Sequence, residues 1–272
     1  MSQPTADIHS ALIDTSIDGH VHTELCHHAV GTMEEYVQAA VAGGLKKIVF
    51  LEHLESGIGY FESTWLEEHD FEFYHAEGKR LQEKYAGRIA IDLGVEVGYN
   101  PARRQNILDR LQRHQWDRIG VSYNFVGIDG SILNVVSRKQ VNIQGIAEAG
   151  IDRVITAYLQ GLHKAVESLP GNVVCHIDAV ARHNPGVNFS EKHLAIFDRL
   201  LDLIAARGMA LEVNTSGFAH RNEPYPGCWL VARAMRRNIP LVAGSDSHRP
   251  DEVGRFFDQL PEFVQRCIHD QK

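Results

Sequence analysis

The sequence lacks the features that mark membrane, secreted and nucleic-acid-binding proteins. No apolar run approaches the ~20 residues that cross a bilayer, and residues 1–10 contain no signal-peptide core. Lysine and arginine number 27 against 35 aspartate and glutamate residues, and the net charge of −8 argues against a polynucleotide bound through a general basic surface. The cysteines include no C-x-x-C pair, which favours reduced thiols in a cytoplasmic protein. They are Cys26, Cys175, Cys228 and Cys267.

What remains is an ordinary globular composition with many histidines. The chain has 272 residues, of which 44% are hydrophobic and 23% charged. Barrels of roughly 250 residues commonly form one domain, so we expect a single domain over residues 1–272. Sixteen histidines are an unusually large number, and their positions in the sequence are the first guide to a functional site. The sequence leaves the oligomeric state open.

The segment IDGHVHTELCHH, residues 17–28, is the first candidate site. Ile13, Ile17 and Val21 predict a short strand that ends in His20 and His22. Because side chains two residues apart in a strand point to the same face, we expect both imidazoles on one side of the sheet. Imidazole is the commonest protein ligand for zinc-like metals, so the pair indicates a metal site. A pair of strand histidines with ordinary hydrogen bonds is the alternative.

Seven apolar or β-branched segments alternate with helical patterns, which predicts parallel strands joined by crossover helices. Either a doubly wound sheet or a closed barrel has this pattern. Polar residues that could bind a metal or its substrate follow six of the strands. These are His20 and His22, His53, Glu96, Asn124, His176, and Asp246 with His248. The carboxyl ends of barrel strands meet over one opening, whereas the outer strands of an open sheet lie too far apart to share a site. We therefore expect a barrel.

Several local patterns give further expectations. Thr32 and Glu35 form a capping box at the start of a helix. Residues 118–125 read as the fourth strand, and residues 127–140 as a long loop. Residues 143–169 read as a helix with a possible break at Gly150 or Gly161. Residues 251–269 read as the last helix.

Six segments together resemble the PHP family, the polymerase and histidinol phosphatase metal-dependent phosphoesterases, and most closely its histidinol-phosphatase branch. They occur in family order over nearly the whole chain. The segments are DGHVHTELCHH (18–28), IVFLEH (48–53), GVEVG (94–98), CHID (175–178), LEVNTSG (211–217) and GSDSHRP (244–250). The resemblance implies an α/β fold, a distorted seven-stranded (β/α)7 TIM-like barrel, with up to three divalent metals at its carboxyl mouth.

The resemblance also implies three groups of metal ligands. The first group is His20, His22, Glu96 and Asp246. The second group is Glu96, which bridges, and His176. The third group is His28, His53 and His248. Nitrogen and oxygen ligands suit zinc, manganese or iron. Cys26 and Cys175 adjoin ligands, but strand neighbours point to opposite faces, so we interpret both as packing residues.

Asn124 departs from the family pattern, which usually has Ser-x-His where this chain has Ser122-Tyr123-Asn124. An amide oxygen is a poorer ligand than imidazole for a zinc-like ion. The second metal is therefore expected to be weaker, different or absent.

For the phosphate, the family pattern points to Arg182 and Arg221, with Arg249 as a third candidate. A guanidinium binds phosphate oxygens in pairs. Arg182 and Arg221 could equally be solvated surface arginines, and for Arg249 that alternative is favoured. Asn214 and Ser216 either line the pocket or cap the following turn.

The resemblance implies hydrolysis of a small phosphate monoester, with L-histidinol phosphate the favoured substrate. Asp246 or His248 is expected to protonate the leaving alkoxide, and Glu96 to act with them in catalysis. A phosphoesterase for another small ester, such as a nucleotide or sugar phosphate, is the alternative within enzymes. A degenerate metal-binding module without turnover is the alternative outside them, and Asn124 is its only support.

Overall fold

The computed structural model describes residues 12–184 and 187–269, and its centre is a parallel sheet of seven strands. In sheet order the strands are β1 (Ile17–Val21), β2 (Lys47–Leu54), β3 (Ala90–Gly98), β4 (Arg118–Ser122), β7 (Val173–Val174), β8 (Ala210–Asn214) and β9 (Leu241–Gly244). A bridge between Val21 and Ser247 brings the end of β1 to the segment after β9, and the His22 N–H donates to the Ser247 carbonyl over 3.0 Å. The sheet thus nearly closes on itself, which confirms the distorted seven-stranded barrel.

Helices connect the strands and cover the outside of the barrel. They are α1 (Met33–Ala42), α2 (Glu68–Lys84), α3 (Arg104–Leu111), α4 (Gln140–Ala149), α5 (Ile151–Ser168), α6 (Glu191–Ala206), α7 (Phe218–Arg221), α8 (Cys228–Met235) and α9 (Leu260–His269). The predicted capping box begins α1: the Thr32 side chain accepts from the Glu35 N–H, and the Glu35 carboxylate accepts from the Thr32 N–H. The capping box supplies hydrogen-bond acceptors to N–H groups at the start of the helix that have no partner inside it.

Apolar side chains fill both faces of the sheet. The largest buried cluster lies between the strands and the surrounding helices, and a smaller one contains Val49, Leu51 and Cys175. Because parallel strands in a barrel are covered on both sides, β2 reads as a nearly continuous apolar run. Gly120 makes the tight interior possible, since a Cβ there would lie 2.6 Å from the Cys175 sulfur.

The prediction of a long loop over residues 127–140 is wrong. The fourth strand ends at Ser122, and a two-stranded antiparallel hairpin follows, made of β5 (Phe125–Ile128) and β6 (Ser131–Asn134). Asp129 and Gly130 form its turn with φ of +51° and +80°. Positive φ at both central residues matches the twist of paired strands, and Asp-Gly is a typical sequence for such a turn. The sequence therefore contained a local signal for this hairpin.

The single final helix over residues 251–269 is also wrong. Short 3-10 turns occupy Pro250–Glu252 and Phe257–Gln259, and the helix begins only at Leu260. Gly254 has φ of +67° and Phe256 has φ of +60°, so the backbone leaves the helical region between the two turns. The helix break predicted at Gly150 is confirmed by its φ of +84°, whereas Gly161 lies inside α5.

The structure joins Cys228 and Cys267 in a disulfide between α8 and α9, so the expectation of four reduced thiols is wrong for this pair. The two residues are 39 positions apart in sequence and 5.1 Å apart at Cα. No spacing motif marks such a pair, because only the packing of the two helices brings the side chains together. Cys26 and Cys175 are free and buried.

The expectations about membrane spans and a signal peptide concern residues that the structure describes only in part. Within residues 12–184 and 187–269, no helix has the length and apolar content to cross a membrane. The signal-peptide expectation concerned residues 1–10, which lie outside the described residues. The single domain over residues 1–272 stays a prediction.

Candidate metal centre

The first group lies at the carboxyl mouth of the barrel, as the strand-end pattern predicts. His20 belongs to β1 and His22 follows it, Glu96 belongs to β3, and Asp246 follows β9. The Nε2 atoms of His20 and His22 are 2.8 Å apart. Glu96 Oε2 lies 3.3 Å from His20 Nε2 and 3.5 Å from His22 Nε2. Asp246 Oδ1 lies 3.4 Å from His22 Nε2 and 3.9 Å from His20 Nε2.

These separations fit a small cation. Zinc is commonly held tetrahedrally by ligand atoms at about 2.0–2.2 Å, which places those atoms roughly 3.3–3.6 Å from one another. The measured separations scatter around that range. Glu96 Oε2 is buried without a hydrogen-bond partner, although imidazole nitrogens of His20, His22 and His53 lie 3.3, 3.5 and 3.1 Å from it. A buried carboxylate oxygen is costly unless it is paired, and a cation between these atoms would pair it. The donor set therefore fits a divalent metal ion.

The electrostatics favour the metal-binding forms of Glu96, Asp246 and His22. Burial alone would lower the pKa of His20, but Glu212 outweighs it and raises that pKa well above its usual range. Burial alone would raise the pKa of Glu96, but His53, His176 and His20 outweigh it and hold that pKa well below its usual range. The pKa of Asp246 is held well below its usual range in the same way, because Arg182 and His22 outweigh burial. Burial, with His53 and His248 nearby, lowers the pKa of His22. The carboxylates are thus ionised and this imidazole is neutral.

The third group lies beside the first. His28 Nε2 and His248 Nε2 are 2.9 Å apart, and His53 completes a cluster whose nitrogens lie within 4.8 Å of one another. Burial and the neighbouring imidazoles lower the pKa of His28 to about 3. Burial also lowers the pKa of His248, to about 4, against the opposing charge of Asp246. Three imidazoles whose nitrogens converge in this way can hold one cation.

The second group forms on the other oxygen of Glu96. His176 Nε2 lies 3.0 Å from Glu96 Oε1, and the Asn124 amide nitrogen donates to the same oxygen over 3.2 Å. The Asn124 carbonyl oxygen and His176 Nδ1 are buried without a partner. Glu96 therefore has one oxygen in each of two groups, as a bridging carboxylate requires.

Two of the predicted ligands have an uncommon backbone conformation. His176 has φ of +25° and Asp246 has φ of +50°. For residues other than glycine this costs of order 1–3 kcal/mol and is concentrated at functional sites. Both lie where a barrel strand turns into its loop, so the unusual φ directs their side chains over the mouth.

The structure places the two free cysteines close to predicted ligands, not on the opposite face. Cys26 Sγ lies within 4.8 Å of nitrogens of His22 and His248, and Cys175 Sγ lies equally close to ligand atoms of His20 and Glu212. Burial raises the pKa of both thiols. Both also pack in apolar clusters, Cys26 in the largest one and Cys175 with Val49 and Leu51, so the interpretation as packing residues is retained although the two side chains are not directed away from the ligands.

Two of the three predicted phosphate-binding arginines lie near the first group. The Arg182 guanidinium donates to Asp246 Oδ2 over 2.7 Å and to Ser216 Oγ over 2.8 Å. Arg221 donates to Asp178 Oδ2 over 2.9 Å. The guanidinium carbons of Arg182 and Arg221 lie 5.1 Å and 3.9 Å from the ring centroid of Tyr225, which is fully buried. The Nε of each is buried without a hydrogen-bond partner, and Arg221 Nε lies 3.9 Å from Glu223 Oε1.

The remaining predicted residues differ in their environment. Arg249 is 59% exposed and pairs with Asp251, so the structure does not place it with the other two arginines. Asn214 accepts from the Ser216 N–H over 3.1 Å, which confirms the capping interpretation. The Asn214 amide nitrogen also lies 3.2 Å from Asp246 Oδ2, so this residue contacts a predicted ligand as well.

Sequence reasoning missed two buried glutamates behind the histidines of the first group. Glu212 Oε1 lies 2.6 Å from His20 Nδ1. Glu52 accepts from the Thr23 N–H and hydroxyl, and its other oxygen lies 3.9 Å from His22 Nδ1. Each is an acidic residue inside an apolar strand. That pattern could have identified them, because a buried charge requires a partner.

Known proteins resemble the chain over most of its length. The PHP domain matches residues 18–216 and the PHP-associated region matches residues 231–266. A Deinococcus radiodurans protein named "Probable histidinol-phosphatase" is 32% identical over 254 residues, covering 90% of this chain and 91% of that protein. The histidinol-phosphatase of Bacillus subtilis is 28% identical over 92% of this chain and 98% of its own length.

Solved structures show the same fold. A Listeria monocytogenes protein named as a histidinol phosphatase superposes with a TM-score of 0.81 at 25% identity, over 89% of this chain and 99% of that one. The histidinol phosphate phosphatase of Lactococcus lactis, crystallised with zinc, L-histidinol and phosphate, superposes with a TM-score of 0.76 at 21% identity, over 92% and 93% of the two chains. With its barrel, its strand-end histidines and a domain match from residue 18 to residue 216, this chain belongs to the PHP domain family.

Proposed function

We propose that this protein is a metal-dependent phosphoric monoester hydrolase and that its substrate is L-histidinol phosphate. One observation carries the reaction class: the ligand atoms of the first group converge within 4 Å, and Arg182 lies against one of them. Histidinol-phosphatase relatives with near full-length coverage support the substrate.

The three groups can hold two or three divalent ions, of zinc, manganese or iron. A bound divalent ion lowers the pKa of a water molecule and neutralises charge on phosphoryl oxygens. In the proposal the first group is His20, His22, Glu96 and Asp246, the second is Glu96 and His176, and the third is His28, His53 and His248. The ionised Glu96 keeps one oxygen in each of the first two groups.

The arginines supply the phosphate contacts in this proposal. Arg182 and Arg221 present planar N–H donors that match phosphate oxygens in pairs. Protonation of the leaving alkoxide by Asp246 or His248 stays a prediction. The lowered pKa of each group favours a role as ligand instead.

A panel of phosphate monoesters tests the proposal. Protein loaded with zinc, and separately with manganese, is assayed for phosphate release from L-histidinol phosphate, nucleoside monophosphates and sugar phosphates. We expect the highest kcat/KM for L-histidinol phosphate. Preference for a nucleotide or a sugar phosphate would retain the reaction class and replace the substrate. Metal-loaded protein that releases no phosphate from any ester would support a binding module without turnover.

Asn124→His is expected to increase occupancy of the second group. The wild-type amide has a free carbonyl oxygen there, and a neutral imidazole is the better ligand for a borderline ion. Metal stoichiometry of wild type and variant is measured under limiting metal. The effect on rate can have either sign, because a tightly held metal also binds product. Equal stoichiometry and affinity in the two proteins would show that the substitution is neutral.

A further inference from the structure

Strand β8 contributes no residue to the three ligand groups, yet its polar side chains face the barrel interior. Leu211 and Val213 pack in the apolar clusters outside the sheet. The alternating residues Glu212 and Asn214 point the other way, and Glu212 is 2% exposed. A charge buried in the centre of a short strand is costly unless it is fully paired.

Glu212 is paired through both of its carboxylate oxygens, and each oxygen contacts a different predicted ligand. Oε1 lies 2.6 Å from His20 Nδ1, and Oε2 accepts the backbone N–H of His176 over 2.9 Å. The Asn214 amide nitrogen lies 3.3 Å from Oε2. One side chain thus connects a ligand of the first group to a ligand of the second.

The neighbouring strand leaves room for this contact. Gly244 ends β9, in register with Asn214 of β8. A Cβ at Gly244 would clash with Glu212 Oε1 and would lie 2.8 Å from His20 Cβ. Any larger residue at this position would separate the glutamate from the imidazole.

The contact determines which nitrogen of His20 is available to a metal. His20 Nε2 faces His22 and Glu96, whereas Nδ1 faces Glu212. A carboxylate can only accept at Nδ1, which therefore carries a proton, so Nε2 is the nitrogen that remains to bind a metal. Glutamine could not replace it, because glutamine has one acceptor oxygen, whereas His20 Nδ1 and the His176 N–H contact two different oxygens of Glu212.

We propose that Glu212 is the positioning residue of the metal centre: it fixes the tautomer and orientation of His20 and, through the backbone N–H, the position of His176. The inference rests on the proposed metal-dependent function. Groups that orient a ligand in this way typically contribute roughly 10- to 100-fold to metal affinity.

Asp18 provides a matched control for the imidazole contact, because it is a fully buried carboxylate on β1 that accepts from the backbone N–H of a ligand, as Glu212 does, but contacts no imidazole. It accepts the backbone N–H groups of His20, Ser245 and Gly254 over 3.3, 2.9 and 2.8 Å. If Glu212 only stabilised the fold, Glu212→Gln and Asp18→Asn would lower thermal stability and leave metal affinity equally unaffected.

The experiment is a zinc titration of wild type, Glu212→Gln and Asp18→Asn against a competing chelator. We expect zinc binding to weaken roughly 10- to 100-fold in Glu212→Gln and by less than about threefold in Asp18→Asn. Equal affinity of Glu212→Gln and wild type overturns the inference and leaves the proposed function intact. A wild type without measurable zinc affinity overturns the proposed function and this inference with it.

If Glu212→Gln does not fold, nitrogen NMR of zinc-loaded wild type labelled at histidine decides the question. We expect His20 to carry its proton on Nδ1, in slow exchange with water, and to bind zinc through Nε2. Zinc on Nδ1 of His20, or rapid exchange of the Nδ1 proton, overturns the inference.

Discussion

Removal of divalent metals is expected to abolish phosphomonoester hydrolysis by this protein, with a loss of at least about 1000-fold. A metal ion contributes several kcal/mol of charge stabilisation in such reactions, and each 1.36 kcal/mol is a factor of ten in rate. The measurement is phosphate release from an aryl phosphate before and after dialysis against chelator. Activity should return when zinc, manganese or iron is added back. Full activity in metal-free protein would contradict the proposed function.

Two histidine variants distinguish loss of a metal ligand from general destabilisation of the fold. His22→Ala removes a ligand of the first group and should lower both the metal content of that group and the hydrolytic activity. His75 is the control, because its ring stacks on His114 with centroids 4.3 Å apart, outside the three ligand groups. His75→Ala should retain the metal content and hydrolytic rate of wild type within about twofold. Equal losses in the two variants would indicate general destabilisation instead.

Arg182→Ala and Arg221→Ala are each expected to reduce kcat/KM by about 2–5 kcal/mol, or roughly 30- to 5000-fold. This is the scale for loss of one partner of a desolvated charge pair. Metal content should be unchanged in Arg182→Ala, because His22, His20 and His248 still lower the pKa of Asp246 and the Asn214 amide still lies 3.2 Å from Asp246 Oδ2. The measurements are steady-state kinetics with L-histidinol phosphate and metal analysis of each purified variant.

Arg249→Ala is the matched control for these substitutions. Its guanidinium is 59% exposed and pairs with Asp251, and an exposed ion pair contributes at most about 1 kcal/mol. We expect its kinetics to stay within about twofold of wild type. Kinetics within twofold for Arg182→Ala and Arg221→Ala as well would show that these two arginines do not bind the phosphate.

The barrel was predictable because its signals are local and repeated. Each strand is a short apolar run, and the runs alternate with helical patterns. Residues that could serve as ligands follow six of the strands, and only a closed arrangement brings all of those ends together. The hairpin at residues 125–134 also had a local signal, in Asp129 and Gly130, although the prediction for residues 127–140 was a loop.

The ends of several elements were less predictable. Residues 250–259 form 3-10 turns instead of continuing the last helix, because Gly254 and Phe256 adopt positive φ. Glycine permits that conformation without requiring it, so the sequence does not decide whether a helix passes through. Phe256 rarely adopts it, and its conformation depends on the surrounding packing.

By itself, the sequence determined the barrel, since spacing two residues apart and position at a strand end are properties of the chain, and its resemblance to the PHP family indicated the predicted ligands. Only the tertiary structure decided which groups act on those ligands. It brought Glu212 to His20 across 192 positions, Arg182 to Asp246 across 64, and Cys228 to Cys267 across 39, and it left Arg249 on the surface. Such contacts depend on the closure of the sheet and on helix packing, and no local pattern of residues records them.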